Sequence, residues 1–121
     1  MANLDDPAAA LRLTLRLDAH GRALLGHGKI RLLEHVRDTG SISAAARAMG
    51  MSYRRAWLLV EATNAAFATP LVLAKAGGGG GATLSEAGRA VVAAYRALEK
   101  QADACARDAF ATIGALLSPS K

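Results

Sequence analysis

The spacing of apolar residues changes period along this chain, and each change predicts an element. Leu11, Leu13, Leu15 and Leu17 alternate with Arg12, Thr14, Arg16 and Asp18, and period two predicts a half-buried strand. His20-Gly21 and Gly26-His27-Gly28 punctuate a loop or second short strand around Ala23-Leu24-Leu25. From Lys29 to Thr39 the period lengthens: Ile30, Leu33 and Val36 recur at helical spacing, and Gly40 stands where a helix-ending glycine belongs. Ser41 or Ser43 caps a short helix, Ala44 to Met49, stopped by Gly50. Ser52 caps a third helix to about Phe67, before Thr69-Pro70 breaks it. Leu71 to Ala76 predict a strand, Gly77 to Gly81 form a glycine run, and Ala82-Thr83-Leu84 can return as a second strand. Ser85 with Glu86 opens a last helix to about Leu117, long for a chain of 121 residues. Residues 1–10, punctuated by Pro7, and residues 118–121 read as tails, and there are no internal repeats. The expected fold is mainly α with a small β component: one domain over 11–84, with an N-terminal strand, followed by a long helix over 85–117.

Residues 41–52 have the logic of a helix-turn-helix. Small alanines let two helices cross closely, Gly50 takes the turn, Met49 and Met51 plug the corner, and Ser52 caps the helix that enters a major groove. At 100° per residue, Ala56, Leu59, Val60, Thr63 and Phe67 share one face of that third helix and would pack on the core. Tyr53, Arg54, Trp57, Leu58 and Glu61 point the other way. An outward Trp, Tyr and Arg in the first two turns suits base edges, phosphates and thymine methyls, and Arg54 and Arg55 suit guanine or phosphate. The alternative is that Tyr53 and Trp57 plug a gap between helices. Ser41 and Ser43 sit at the start of the shorter helix, within reach of the same surface.

Strand, glycine tip and strand after a helix-turn-helix is the position of a wing. The tip (Gly78, Gly79, Gly80) would lie against sugar–phosphate through backbone N–H groups, with Lys75 supplying charge. A plain mobile loop is the competing reading. No Gly-Lys-Ser/Thr follows the run, which disfavours a P-loop.

Charge then changes the weight of these readings. The chain carries fifteen Lys plus Arg against ten Asp plus Glu, net +5 with a pI near 10. Between Ala19 and Thr83 eight bases face three acids; from Leu84 onward five face four. The excess lies in the helix-turn-helix and wing, which favours double-stranded DNA as partner. One cysteine excludes an internal disulfide and a CxxC zinc site. His20, His27 and His35 do not form a ligand set, and no catalytic constellation stands out, so neither a metal, a cofactor nor an enzyme is expected. No apolar run reaches a membrane span, and Asp5 and Asp6 replace a basic leader, so the expectation is a cytoplasmic protein without membrane contact.

Residues 11–98 resemble the DNA-binding domain of the ModE-type molybdate-responsive transcriptional regulators, a winged helix-turn-helix similar to that of LysR-type regulators. The resemblance is carried by Leu13-Thr14-Leu15-Arg16-Leu17, Gly40-Ser41-Ile42-Ser43, Gly50-Met51-Ser52-Tyr53-Arg54-Arg55-Ala56-Trp57, and Gly77–Gly81 followed by Ala82-Thr83-Leu84-Ser85. It implies a sequence-specific DNA-binding dimer with the third helix in the major groove. The family's molybdate-binding domain would begin where this sequence stops, so molybdate sensing is not carried over and any small-molecule effector is unknown. Arg55 and Leu58 stand where smaller or acidic residues are expected, so the family's operator is not carried over either.

The last helix supplies a pairing device. Gly88, Val91, Tyr95, Leu98, Ala102, Cys105, Ala109, Thr112 and Leu116 fall at alternating three- and four-residue spacing, a heptad seam. The first two turns would pack on the chain's own core; the rest predicts a homodimer, helped by Leu13, Leu15 and Leu17. Cys105 is expected as a small buried residue on that seam. Three functions remain: a regulator on a palindromic operator, a non-specific architectural DNA-binding protein, and a winged-helix adaptor that binds protein.

Overall fold

The computed structural model describes residues 6–75, 77 and 79–119. The chain divides into two compact units, one spanning Arg16–Tyr95 and the other joining the segment through Leu15 to the segment from Arg96 onward.

The first unit opens with an antiparallel hairpin, β1 (Arg16–Ala19) and β2 (Arg22–Gly26). Its turn, His20-Gly21, has φ of 54° and 76°, the twist that a two-residue hairpin favours. Glycine adopts this conformation freely and His20 does so at some cost. The strand expected over 11–17 is therefore displaced. Leu11, Leu13 and Leu15 keep their half-buried alternation, but the ladder covers only Arg16 to Ala19, with a bulge between Leu17 and Asp18. Period two reports which side of an extended segment is covered; a ladder also needs a partner, and β2 is only five residues long.

Three helices follow. Helix α1 (His27–Thr39) buries Ile30, Leu32, Leu33 and Val36 and ends on Gly40 at φ 79°, whose amide donates to the Val36 carbonyl. Helix α2 (Ile42–Ala48) is capped by Ser41, whose Oγ accepts from the Ala44 amide at 2.9 Å. Its exit turns on Gly50 (φ 65°), with the Met51 amide returning to the Ala46 carbonyl. Helix α3 (Tyr53–Ala66) is capped by Ser52, which accepts from the Arg55 amide at 3.1 Å.

The wing pairs β3 (Val72–Ala74) with β4 (Ala82–Leu84), antiparallel, in the register Val72 to Leu84. Ser41 bridges Gly81, and the Ala82 amide donates to the Gly40 carbonyl, so the wing root is stitched to the turn between α1 and α2. Ser85 then opens α4 (Glu86–Cys105): its Oγ donates to the Pro70 carbonyl at 2.7 Å and accepts from the Gly88 amide at 3.0 Å. Leu25, Ala45, Ala56, Val60, Leu71, Leu84, Val92 and Tyr95 join the α1 side chains in the core.

The long helix expected over 85–117 is two helices. Helix α4 ends at Cys105 and α5 (Arg107–Leu116) begins after Ala106. The last turn of α4 carries no base and holds Asp103, at the end where the helix dipole disfavours an acid; Asp108 lies in the first turn of α5, where it is favoured. After Tyr95 the only buried described residue is Gly114. In the second unit Pro7–Ala10, expected as tail, forms a 3-10 turn capped by Asp6 and packed with α5. Residues 1–5 and 120–121 of the expected tails lie outside the described residues; Ser118 and Pro119 are not helical.

Candidate nucleic-acid interface

The two faces of α3 separate as its sequence requires. Ala56, Val60 and Thr63 are buried and Leu59 and Phe67 half-buried; Tyr53, Arg54, Trp57, Leu58 and Glu61 are exposed. Tyr53 remains 56% exposed, Trp57 42% and Leu58 47%, so the aromatic pair does not plug a gap between helices. Large apolar groups at one helix start, beside two arginines, are costly in water and useful against the major groove. Ser52, Arg54, Arg55, Leu58 and Leu59 line an open cleft of about 440 Å³ there. From Thr39 to Val60 the sequence has no acid, so nothing in this stretch neutralises Arg47, Arg54 and Arg55.

The serines divide by task. Ser41 and Ser52 accept backbone amides as caps, which fixes the starts of α2 and α3 and leaves each hydroxyl proton to donate elsewhere. Ser43 is exposed on α2 and its Oγ accepts from Arg47 Nη1 at 3.1 Å. Arg47 escaped the sequence reading, although a base four residues after Ser43 on an outward face was the available signal.

The structure locates the wing's charge at its root. The Lys75 stem lies against Gly81, and its Nζ reaches to 2.8 Å of the point a Cβ on Gly40 would occupy. Its ammonium is thus held near the wing root, beside the turn into α2, and not at the glycine tip. Gly79 and Gly80 have φ of 78° and 73° and face open space, so glycine there serves the backbone turn and leaves it bare. Gly78 lies outside the described residues.

Two positioning residues were also missed. Asn64, inward on α3, accepts from the Leu71 and Val72 amides at 2.9 and 3.0 Å and donates to the Val72 carbonyl at 3.1 Å. It ties the wing to α3; a polar residue four after Val60 was its signal. Gly88, taken as a seam position, instead lets α4 approach the Leu71 carbonyl, into which a Cβ would collide.

The other expected pairing residues scatter. Tyr95 is buried in the core of its own unit, a correction to its place on the seam. Leu13, Leu15 and Leu17 are half-buried, as is Ala102; Leu98, Cys105, Ala109 and Leu116 are exposed. Cys105, at the end of α4, is exposed in the single chain. Among the described residues no group of three His, Cys, Asp or Glu could hold a metal ion, and no helix is long and apolar enough to cross a membrane.

Residues 27–89 match the bacterial regulatory helix-turn-helix proteins of the lysR family. The molybdenum-pterin-binding protein MopB of Rhodobacter capsulatus is 49% identical over 79 residues, 64% of this chain and 29% of that protein. The molybdenum transport protein ModE of Azotobacter vinelandii is 42% identical over 87 residues, 70% of this chain and 32% of that one. The DNA-binding transcriptional dual regulator ModE of Escherichia coli K12 is 35% identical over 89 residues, 72% and 33%. The chain spans about a third of the length of these relatives. These matches and the winged helix-turn-helix geometry agree: the chain belongs to the bacterial regulatory helix-turn-helix proteins of the lysR family, and its helix-turn-helix domain is of the ModE type.

Proposed function

We propose that this chain is a transcriptional regulator that reads a two-fold-symmetric operator as a homodimer, with α3 in the major groove. The observation that carries the proposal is the outward face of α3, where Tyr53, Arg54, Trp57 and Leu58 stand exposed in an acid-free stretch. Arg54 and Arg55 supply donors for guanine or phosphate, and Leu58 and Trp57 supply apolar contact for thymine methyls. Ser43, Arg47 and Lys75 flank that face from α2 and the wing root and suit phosphates, and Gly79 and Gly80 bring bare backbone to the sugar–phosphate. The wing is held against α3 by Asn64, so reading helix and wing present one surface.

Dimerisation is supported by the apolar side chains that the chain leaves uncovered after Tyr95: Leu98, Ile113, Leu116 and Leu117. Two copies would set two α3 helices against half-sites a whole number of turns apart, roughly 10 base pairs each. The test is selection from random duplexes followed by measured affinities. A regulator prefers its selected site by about 10³-fold or more over random DNA. A ratio near one would instead make the chain an architectural DNA-binding protein, and no salt-dependent binding at all would leave the adaptor reading.

A further inference from the structure

The first unit holds a second cleft, beyond the first two turns of α3. It has a volume of about 650 Å³ and lies between the β1–β2 hairpin, the first turn of α1 and the C-terminal half of α3. Ala62, Ala65 and Ala66 of α3 line one side, and all three are exposed. Ala19, Ala23 and Leu24 of the hairpin line the other. The polar lining is basic: His20, Arg22 and Lys29, with no carboxylate among the lining residues.

These groups are placed, not merely present. The Lys29 ammonium donates to the Leu24 carbonyl at 3.1 Å, which holds it at the cleft and leaves two of its N–H groups for another acceptor. No acid lies in the first turn of α1 to neutralise it. The nearby Asp18 is engaged by Arg16 at 2.9 Å and alternates with Ala19, so it faces away from the cleft. His20 is held in the cleft lining by the turn, at the sole described positive φ outside glycine.

We infer that this cleft is a binding site for a small organic anion, a carboxylate or phosphate ester with a flat apolar body. Arg22 offers the planar fork that suits such a head group, Lys29 a fixed point charge, and the alanine methyls an apolar wall. The volume falls in the range of small-molecule sites, about 300–1,000 Å³, and exceeds what a bare oxyanion fills. The alanines lie on the same last turn of α3 as Asn64, the residue that holds the wing to α3, so an occupant that shifts this turn would bias the wing's position. That regulatory part rests on the DNA-binding reading; the binding part does not.

The probes are 1-naphthoate and 1-naphthyl phosphate, with neutral 1-naphthol and inorganic phosphate as controls, followed by backbone amide NMR shifts of the full chain. The charged naphthyl probes are expected to shift amides of residues 19–29 and 62–66 with Kd below about 1 mM, and each control to bind about tenfold more weakly. Arg22→Gln should weaken naphthoate about tenfold, and Ala65→Leu, which fills the wall without altering charge, by a similar factor. Each variant's amide spectrum reports that it remains folded. No saturable shift, equal binding of 1-naphthol, or unchanged affinity in both variants would overturn the site. A change of oligomeric state in Ala65→Leu would overturn it too, by making the cleft a contact with a second copy. Naphthoate that binds yet leaves affinity for selected DNA unchanged would overturn the regulatory part alone. A ligand-binding chain without any DNA affinity would overturn the proposed function and leave the site standing.

Discussion

Helix α3 and the segment from α4 to α5 carry the same kind of sequence signal, yet the structure uses them differently. In α3 the apolar stripe of Ala56, Val60 and Thr63 is covered, and Asn64 fastens the helix end to the wing. In the later segment Gly88, Val92 and Tyr95 are covered, and the stripe beyond them is covered only in part: Ala102 is half-buried, whereas Leu98 and Ile113 are exposed and Leu116 is 82% exposed. The outward side chains of α3 form one cluster with bases. Those of α4 and α5 are spread over two helices with a break between. Helical period tells which residues share a face; it does not tell what lies against that face, or whether the axis stays continuous.

The comparison is broken most severely at Tyr95. Truncating this fully buried ring with Tyr95→Ala should cost about 3–5 kcal/mol in denaturant unfolding, against less than about 0.5 kcal/mol for Leu116→Ala at concentrations where the chain is monomeric. Similar losses at the two positions would mean that the segment after Arg96 is packed as tightly as the first unit. At high concentration Leu116→Ala should show its effect in sedimentation, by weakening self-association.

What the sequence made legible follows the same division. The order of helices, hairpin and wing could be read because each boundary is enforced locally: Ser41 and Ser52 as caps, Gly40 and Gly50 as left-handed ends. The outward residues of α3 could be read because a core-facing stripe fixes the opposite face. Asn64 and Lys75 escaped because their partners are the amides beyond Pro70 and the glycines at 40 and 81, contacts that only the folded chain creates. The break at Ala106 escaped because neither proline nor glycine marks it. The 11–17 run was misplaced because alternation in one segment carries no information about the length of its partner.

Asn64 gives the next largest effect and tests whether α3 and the wing are one body. Asn64→Leu keeps the volume but leaves the Leu71 and Val72 amides without their acceptor, a loss of about 2–4 kcal/mol. Hydrogen exchange should accelerate at those two amides before it does at α1. Unchanged protection there would show that the wing is held by β4 alone.

Arg54 sharpens the chemical side of the contrast. Arg54→Ala should weaken binding to a selected site by about 1–3 kcal/mol while leaving unfolding unchanged, since the side chain is exposed. A loss confined to the selected site marks a base contact, and an equal loss on random duplexes marks a phosphate contact. Full retention of DNA binding would remove α3 from the major groove. Arg107, exposed at the start of α5, is the matched control: Arg107→Ala should leave DNA affinity within about twofold of the parent.

The smallest effect asks whether α4 truly ends at Cys105. Asp103 is exposed, on the side of α4 away from Leu98 and Ala102, so changing it should not touch self-association. If the helix ends two residues later, the carboxylate sits at the negative end of the dipole, and Asp103→Gln removes that repulsion and adds a better helix former. The expected gain is about 0.5–1 kcal/mol in unfolding free energy. If instead α4 and α5 run as one helix, Asp103 lies in mid-helix with Arg107 four residues ahead, where a favourable acid–base pair would be lost. Propensity gain and pair loss, each about 0.3–0.5 kcal/mol, would then cancel. A gain or its absence at one exposed position thus separates two short helices from one long one. High salt should erase the dipole part of the gain and leave the propensity part, which identifies its origin.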